Sequence, residues 1–131
     1  MSAWTAWLAV FVGGGFGSAL RYGLSLLGNR TPQHFPWGTL AANLLACFVL
    51  GVLVHLFQKH PAVGSSGDIP WKLLLATGFC GGFSTFSTFA LELVAPDRAG
   101  LAPWFWAYLT LSLLGGGLAV WLGHWSGRQF F

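Results

Sequence analysis

Charge is what this sequence has least of. Only 7% of its 131 residues are charged, three acids against six Lys or Arg, where ordinary soluble domains carry about 25%. So few charges cannot solvate a globular surface, and they are bunched. Residues 1–20, 31–58, 73–91 and 99–127 contain no Asp, Glu, Lys or Arg. A helix needs roughly 20 mainly apolar residues to cross a bilayer. The arithmetic gives four spans with short connections and leaves little for a soluble domain. It argues against a soluble enzyme and a disordered tail. A net charge of +3 is too sparse for a groove that tracks phosphates, so no nucleic-acid partner is expected. Cysteine is scarce as well. Cys47 and Cys80 fall in mid-span and read as small packing residues. The first run has no cationic segment ahead of it and no clean cleavage site, so it reads as a retained helix rather than a signal peptide.

The expected spans are residues 3–27, 37–57, 71–94 and 103–125, separated by connectors rich in Pro and Gly. All eight tryptophans sit near those boundaries, where an amphipathic ring prefers the headgroup level. The fold class is therefore an all-α integral membrane protein, one domain of four transmembrane helices over residues 1–131. Arg21, Arg30 and Arg98 fall on one side of the membrane, and Lys59, Lys72 and Arg128 on the other. The tie gives the positive-inside rule nothing to act on. Either something else fixes the orientation, or copies insert both ways and pair antiparallel.

Glycine is abundant, with 19 residues, about twice the usual share. Gly13 and Gly17 form a GxxxG in span one, and Gly115, Ala119 and Gly123 follow at i+4 steps in span four. Such small residues let helix backbones touch in lipid. They make no nucleotide motif, because Ser18 stands where a GxGxxG would need its third glycine.

Polar residues within the spans line up. Thr39, Asn43, Cys47, Gly51 and His55 recur at i+4 steps in span two, Ser84, Thr88 and Glu92 in span three, and Tyr108, Ser112 and Gly116 in span four. Phe86 and Phe89 are paired at i+3. Polar groups at membrane depth must face protein or a water-filled path. Interhelical glue is the bland reading; three aligned faces favour a permeation path. In span three, Gly78, Gly81 and Gly82 run into Ser84, Thr85, Ser87 and Thr88, which makes a poor continuous helix. A break is expected there, with exposed carbonyls able to bind an ion. The mid-span positions offer no fixed cation to trap an anion and almost no carboxylate to attract a cation. Their donors are the Asn43 amide, hydroxyls and the positive edges of the Phe86 and Phe89 rings. That set suits a small, strongly hydrated anion bound weakly enough to leave.

With these residues in place, the chain resembles the CrcB/Fluc family of fluoride channels along nearly its whole length. The resemblance is carried by Gly17-Ser-Ala-Leu-Arg21-Tyr, by Pro36-Trp-Gly-Thr-Leu-Ala-Ala-Asn43-Leu, and by Thr77-Gly-Phe-Cys-Gly-Gly-Phe-Ser-Thr-Phe86-Ser-Thr-Phe89. It implies a passive, fluoride-selective channel of the cell (inner) membrane that exports fluoride and is not an enzyme. It also implies a dual-topology antiparallel homodimer with two pores, a broken third helix, and one structural sodium ion at the dimer interface. On matched positions the backbone carbonyls of Gly81 and Ser84 would hold the sodium. Asn43, Phe86 and Phe89 would line the pores, with Thr39, Thr88, Glu92, Tyr108 and Ser112 along or beside a polar track. Arg21 matches an arginine near the pore vestibule. Departures are mild: Ser84 stands where Thr is common, Ala90 where a hydroxyl is common, and Gly116 offers no hydroxyl.

Three rivals come from other classes. A small multidrug antiporter is also a four-span, dual-topology dimer, but it needs a carboxylate in span one, and this span has none. A non-conducting assembly subunit would leave the Phe/Ser/Thr stripe without a purpose. A membrane enzyme would need a nucleophile–base pair or clustered metal ligands, and the four histidines are scattered without an HExxH.

Overall fold

The structure, a computed structural model, describes residues 2–28, 35–60, 70–94 and 104–130. It is all-helical. The elements are α1 (Ala3–Gly28), α2 (Trp37–Lys59), a π-helical segment (Lys72–Cys80), one further turn α3 (Gly81–Phe83), α4 (Phe86–Leu93) and α5 (Phe105–Phe130). Four stretches are long and apolar enough to cross a membrane: α1, α2, α5 and the composite third span Lys72–Leu93. Spans one, two and three match their expected bounds to within two residues at each end. The fourth runs to Phe130, beyond its expected end at Trp125. Trp121 therefore lies roughly two and a half turns inside α5 rather than at its boundary. The connectors, with Arg30, Asp68, Asp97 and Arg98, lie outside the described residues.

Local chemistry sets the helix ends. The Ser2 hydroxyl accepts the Thr5 N–H at 3.3 Å and caps α1. Pro36, which has no N–H to leave unpaired, stands just before α2, and its carbonyl accepts the Leu40 N–H at 3.1 Å. Pro61 forbids helical geometry at the preceding residue, and His60 leaves it, with φ −123° and ψ 75°. Arg128 in the last turn of α5 and Lys59 in that of α2 complement the negative ends of their helix dipoles.

The helices pack through glycine in two seams. A Cβ on Gly13 would run into the Leu74 carbonyl, and one on Gly17 would lie 2.7 Å from the Phe83 N. These two positions bring α1 against the third span, as the GxxxG reading expects. On the other side, a Cβ on Gly123 would run into the Phe48 carbonyl, and one on Gly51 into that of Val120, so α2 lies directly on α5. The buried core has three patches: Ala42, Ala46 and Phe83; Leu40, Phe89 and Tyr108; Leu53, Phe57 and Cys80. Each takes residues from α2, which makes α2 the central helix. Cys80 is a buried packing residue, as expected. Large apolar side chains such as Trp4, Phe11, Phe16 and Leu114 stay exposed, as a chain solvated by lipid allows.

Candidate functional site

Within the third span, two residues leave helical geometry. Ser84 has φ −80° and ψ 157°, and Thr85 has φ −151° and ψ 118°. Ser84 still donates its N–H to the Cys80 carbonyl at 3.0 Å, and its hydroxyl donates to the same carbonyl at 2.9 Å. Thr85 turns away. Its N–H donates to Asn43 Oδ1 at 2.7 Å, and its carbonyl accepts from Asn43 Nδ2 at 3.1 Å. The Asn43 amide thus does for one peptide what a neighbouring strand would do. Thr85 also opens α4 as its N-cap, accepting the Thr88 N–H at 3.2 Å. Its hydroxyl donates to Thr88 Oγ1 at 3.1 Å.

Beside this turn is a cleft of about 210 Å³. Asn43, Phe86, Phe89 and Ser112 line it, together with Ser84, Thr85, Cys47 and Leu113. The Ser112 hydroxyl oxygen is buried and has no hydrogen-bond partner among the described residues. An orphaned buried hydroxyl costs about 1–3 kcal/mol, and a polar group in the cleft would relieve that cost. The NH2 of Asn43 has two hydrogens, and Thr85 uses one. Among the described residues, no Lys or Arg lines the cleft.

A second group forms around Glu92. Thr39 Oγ1 donates to Glu92 Oε1 at 2.7 Å, and the Tyr108 hydroxyl donates to Oε2 at 2.6 Å. Thr39 and Tyr108 are buried and Glu92 is half-buried. Three residues from three helices therefore meet at one carboxylate. Phe89 joins the two groups: its ring lines the cleft and packs edge-on against Tyr108, with centroids 5.1 Å apart.

Arg21 lies on the α1 side of the third span. Its Nε donates to the Gly82 carbonyl at 3.1 Å, and the Ser18 hydroxyl shares that acceptor at 3.3 Å. It sits about two turns inside α1, tied to backbone near the Ser84–Thr85 turn. The carbonyls assigned to sodium by resemblance lie at the same turn. In an unbroken helix the Gly81 carbonyl would accept the Thr85 N–H, but that N–H is turned to Asn43. The Ser84 carbonyl follows extended backbone. Carbonyl oxygens without a helical donor fit a hard cation. Among the described residues no three His, Cys, Asp or Glu side chains gather as an alternative.

The expected polar stripe on α2 splits. Thr39 and Asn43 reach the site and Cys47 lines the cleft, but Gly51 packs on α5 and His55 lies against His124. The reason is geometric. Each i+4 step overshoots a full turn by about 40°, so four steps carry His55 almost to the opposite face from Thr39. Thr85 and Leu113 are site residues that sequence reasoning missed. The signal for Thr85 was present: a hydroxyl at the head of a helical run, three residues before Thr88, reads as an N-cap.

The family model described as "CrcB-like protein, Camphor Resistance (CrcB)" matches residues 8–124. Among similar curated proteins, the "Fluoride-specific ion channel FluC" of Serratia proteamaculans is 46% identical over 108 residues, 82% of each chain. The protein of the same description from Enterobacter sp. is 44% identical over 119 residues, 88% of this chain and 91% of that one. A third, from Leptospira interrogans, is 41% identical over 124 residues, 94% of each.

Proposed function

The chain belongs to the CrcB family, and from that premise we propose how its residues conduct fluoride. It is a multi-pass cell-membrane protein and a fluoride channel rather than an enzyme. The observation that carries the pathway is the buried, unpartnered Ser112 hydroxyl in a cleft shared with the Asn43 amide and the Phe86 and Phe89 rings. Fluoride is small and strongly hydrated, so it needs several donors to replace its water. Each must be weak enough to release it. A hydroxyl, one amide N–H and two ring edges meet that need, and no ammonium or guanidinium is present to trap the ion. The path continues past Thr88 to the Thr39–Glu92–Tyr108 group. There both carboxylate oxygens are occupied by hydroxyl donors, which spreads the negative charge an approaching anion meets.

We infer a second copy. Phe86 is exposed in the single chain and the Cβ position of Gly81 meets nothing, so the face bearing the cleft is uncovered. An antiparallel dimer would cover that face on both chains and produce two pathways, in keeping with the Lys/Arg tie. The third helix would then be broken functionally at Ser84–Thr85. The Gly81 and Ser84 carbonyls of both copies would hold one sodium ion on the shared axis, where it supplies positive charge that the side chains lack.

The test is efflux from liposomes holding only the purified protein. Fluoride should leave down its own gradient, far faster than chloride, with no proton gradient applied. An absolute need for an opposing proton gradient would transfer the chain to the antiporters. No flux from correctly assembled protein would make it an assembly subunit.

A further inference from the structure

Away from the cleft, α2 and α5 each place one histidine at the same level. The His55 and His124 rings lie with centroids 5.3 Å apart and planes at 77°. The seam beneath them is backbone on backbone. A Cβ on Gly51 would run into the Val120 carbonyl and lie 2.9 Å from the His124 N. One on Gly127 would lie 2.9 Å from the His55 Cβ. Neither helix can slide or separate here without losing that packing, so the backbones that carry the two imidazoles are held together.

That separation has a chemical meaning. A tetrahedral metal ion lies about 2.1 Å from an imidazole nitrogen, hence about 3.2 Å from the ring centre. Two rings bound at about 109° then have centres about 5.2 Å apart. We propose that His55 and His124 form a two-histidine site for a borderline divalent transition-metal ion of the Zn2+, Ni2+ or Cu2+ class. Imidazole selects that class over hard ions such as Mg2+. His55 lies about one turn from the end of α2, at headgroup depth, where water completes the coordination. Both residues are half-buried, and each imidazole carries two ring nitrogens, either of which can ligate a metal ion. Lys59 from α2 and Arg128 from α5 act on His55 electrostatically, and their positive charge weakens the site relative to a structural zinc centre. The bound ion ties α2 to α5 on the side of the bundle away from the Asn43–Thr85 turn.

The experiment is a Cu2+ titration of the untagged, purified channel, read by calorimetry and by electron paramagnetic resonance. Wild type is expected to bind one ion per chain with two equivalent nitrogen couplings, and Mg2+ is expected not to compete. His55→Gln and His124→Gln, each checked for wild-type elution and fluoride efflux, should each weaken that site by at least about tenfold and remove the two-nitrogen signature. His34 and His60 remain in both variants as internal controls. Should either Gln variant elute abnormally, the Asn substitution takes its place. Retention of the two-nitrogen spectrum and affinity in either single variant overturns the site. So does a wild type that binds Cu2+ no more tightly than the double variant.

Discussion

Phe86 and Phe89 sit with ring centroids 5.8 Å apart, yet they belong to different environments. Phe89 is 4% exposed, packed between Leu40 and Tyr108, while Phe86 is 76% exposed. One turn of helix separates a core residue from one that the described residues leave largely uncovered. Packing within the chain can account for Phe89 alone. Phe86 must be explained by what lies outside the chain, and its place in the cleft beside Asn43 and Ser112 offers the ion and a second copy.

The two rings should therefore fail differently. Phe86→Ile gives up only its ring contact with Phe89 and should change stability by about 0.5 kcal/mol, yet fluoride efflux should fall sharply because the ring-edge donor is gone. Phe89→Ile should lose flux and also about 1 kcal/mol or more, since the aromatic contact with Tyr108 disappears with the ring. Thermal unfolding beside efflux separates them. Wild-type flux in Phe86→Ile would remove that ring from the pathway.

Asn43 carries a structural duty that composition did not reveal. Asn43→Leu strands the Thr85 N–H and carbonyl, each at about 1–3 kcal/mol when buried. It should lower the melting temperature as well as flux. Asn43→Asp keeps the acceptor for the Thr85 N–H but loses the donor and adds negative charge beside the path. It should assemble better than Asn43→Leu and still not conduct. If Asn43→Leu melts like wild type, the Thr85 bracket contributes nothing.

The four spans were legible because charge-free runs of bilayer length leave no other way to hide apolar surface. The Gly13/Gly17 seam was legible because GxxxG has one common use in lipid. What could not be read depends on how helices turn relative to one another. The Asn43–Thr85 pairing joins residues far apart in sequence, and no periodicity announces it. The π-helical geometry of Lys72–Cys80 leaves no mark in a run of Leu, Ala and Gly. The end of α5 was placed too early because Trp125 reads as a boundary tryptophan, whereas the helix runs on and Gly127 packs against His55. The resemblance named most of the residues around the cleft. It did not show that Thr39 and Tyr108 spend their hydrogens on Glu92.

That shared carboxylate predicts coupling. Tyr108→Phe removes a hydrogen bond to a charged group and should cost about 1.5–3 kcal/mol. Thr39→Val removes the other donor at nearly constant shape. Because both act on Glu92, their effects on stability should not add, with an interaction energy of about 0.5–3 kcal/mol in a double-mutant cycle. Glu92→Gln should abolish the coupling. Simple additivity within about 0.5 kcal/mol would mean that the two hydroxyls are independent, and that the carboxylate does not organise this end of the path.

Neighbouring glycines give the sharpest test of the dimer. A Cβ on Gly82 would lie 2.9 Å from the Gly14 Cα, whereas one on Gly81 meets nothing within 4 Å. Within one chain, then, Gly82→Ala should force α1 off the third span and cost about 1–3 kcal/mol. Gly81→Ala should cost nothing and should gain the roughly 0.5–1 kcal/mol by which Ala exceeds Gly in a helix. Only a second copy can reverse that order. If the Gly81 face meets its counterpart around a sodium ion, Gly81→Leu should leave each chain folded but shift size-exclusion elution from dimer to monomer and abolish flux. Replacing sodium with a large organic cation should mimic this in wild type, lowering dimer stability without altering helical content. Circular dichroism, elution volume and efflux, measured together on Gly81→Leu and in sodium-free buffer, decide the matter. A conducting, dimeric Gly81→Leu would place the dimer contact elsewhere, and with it the sodium site.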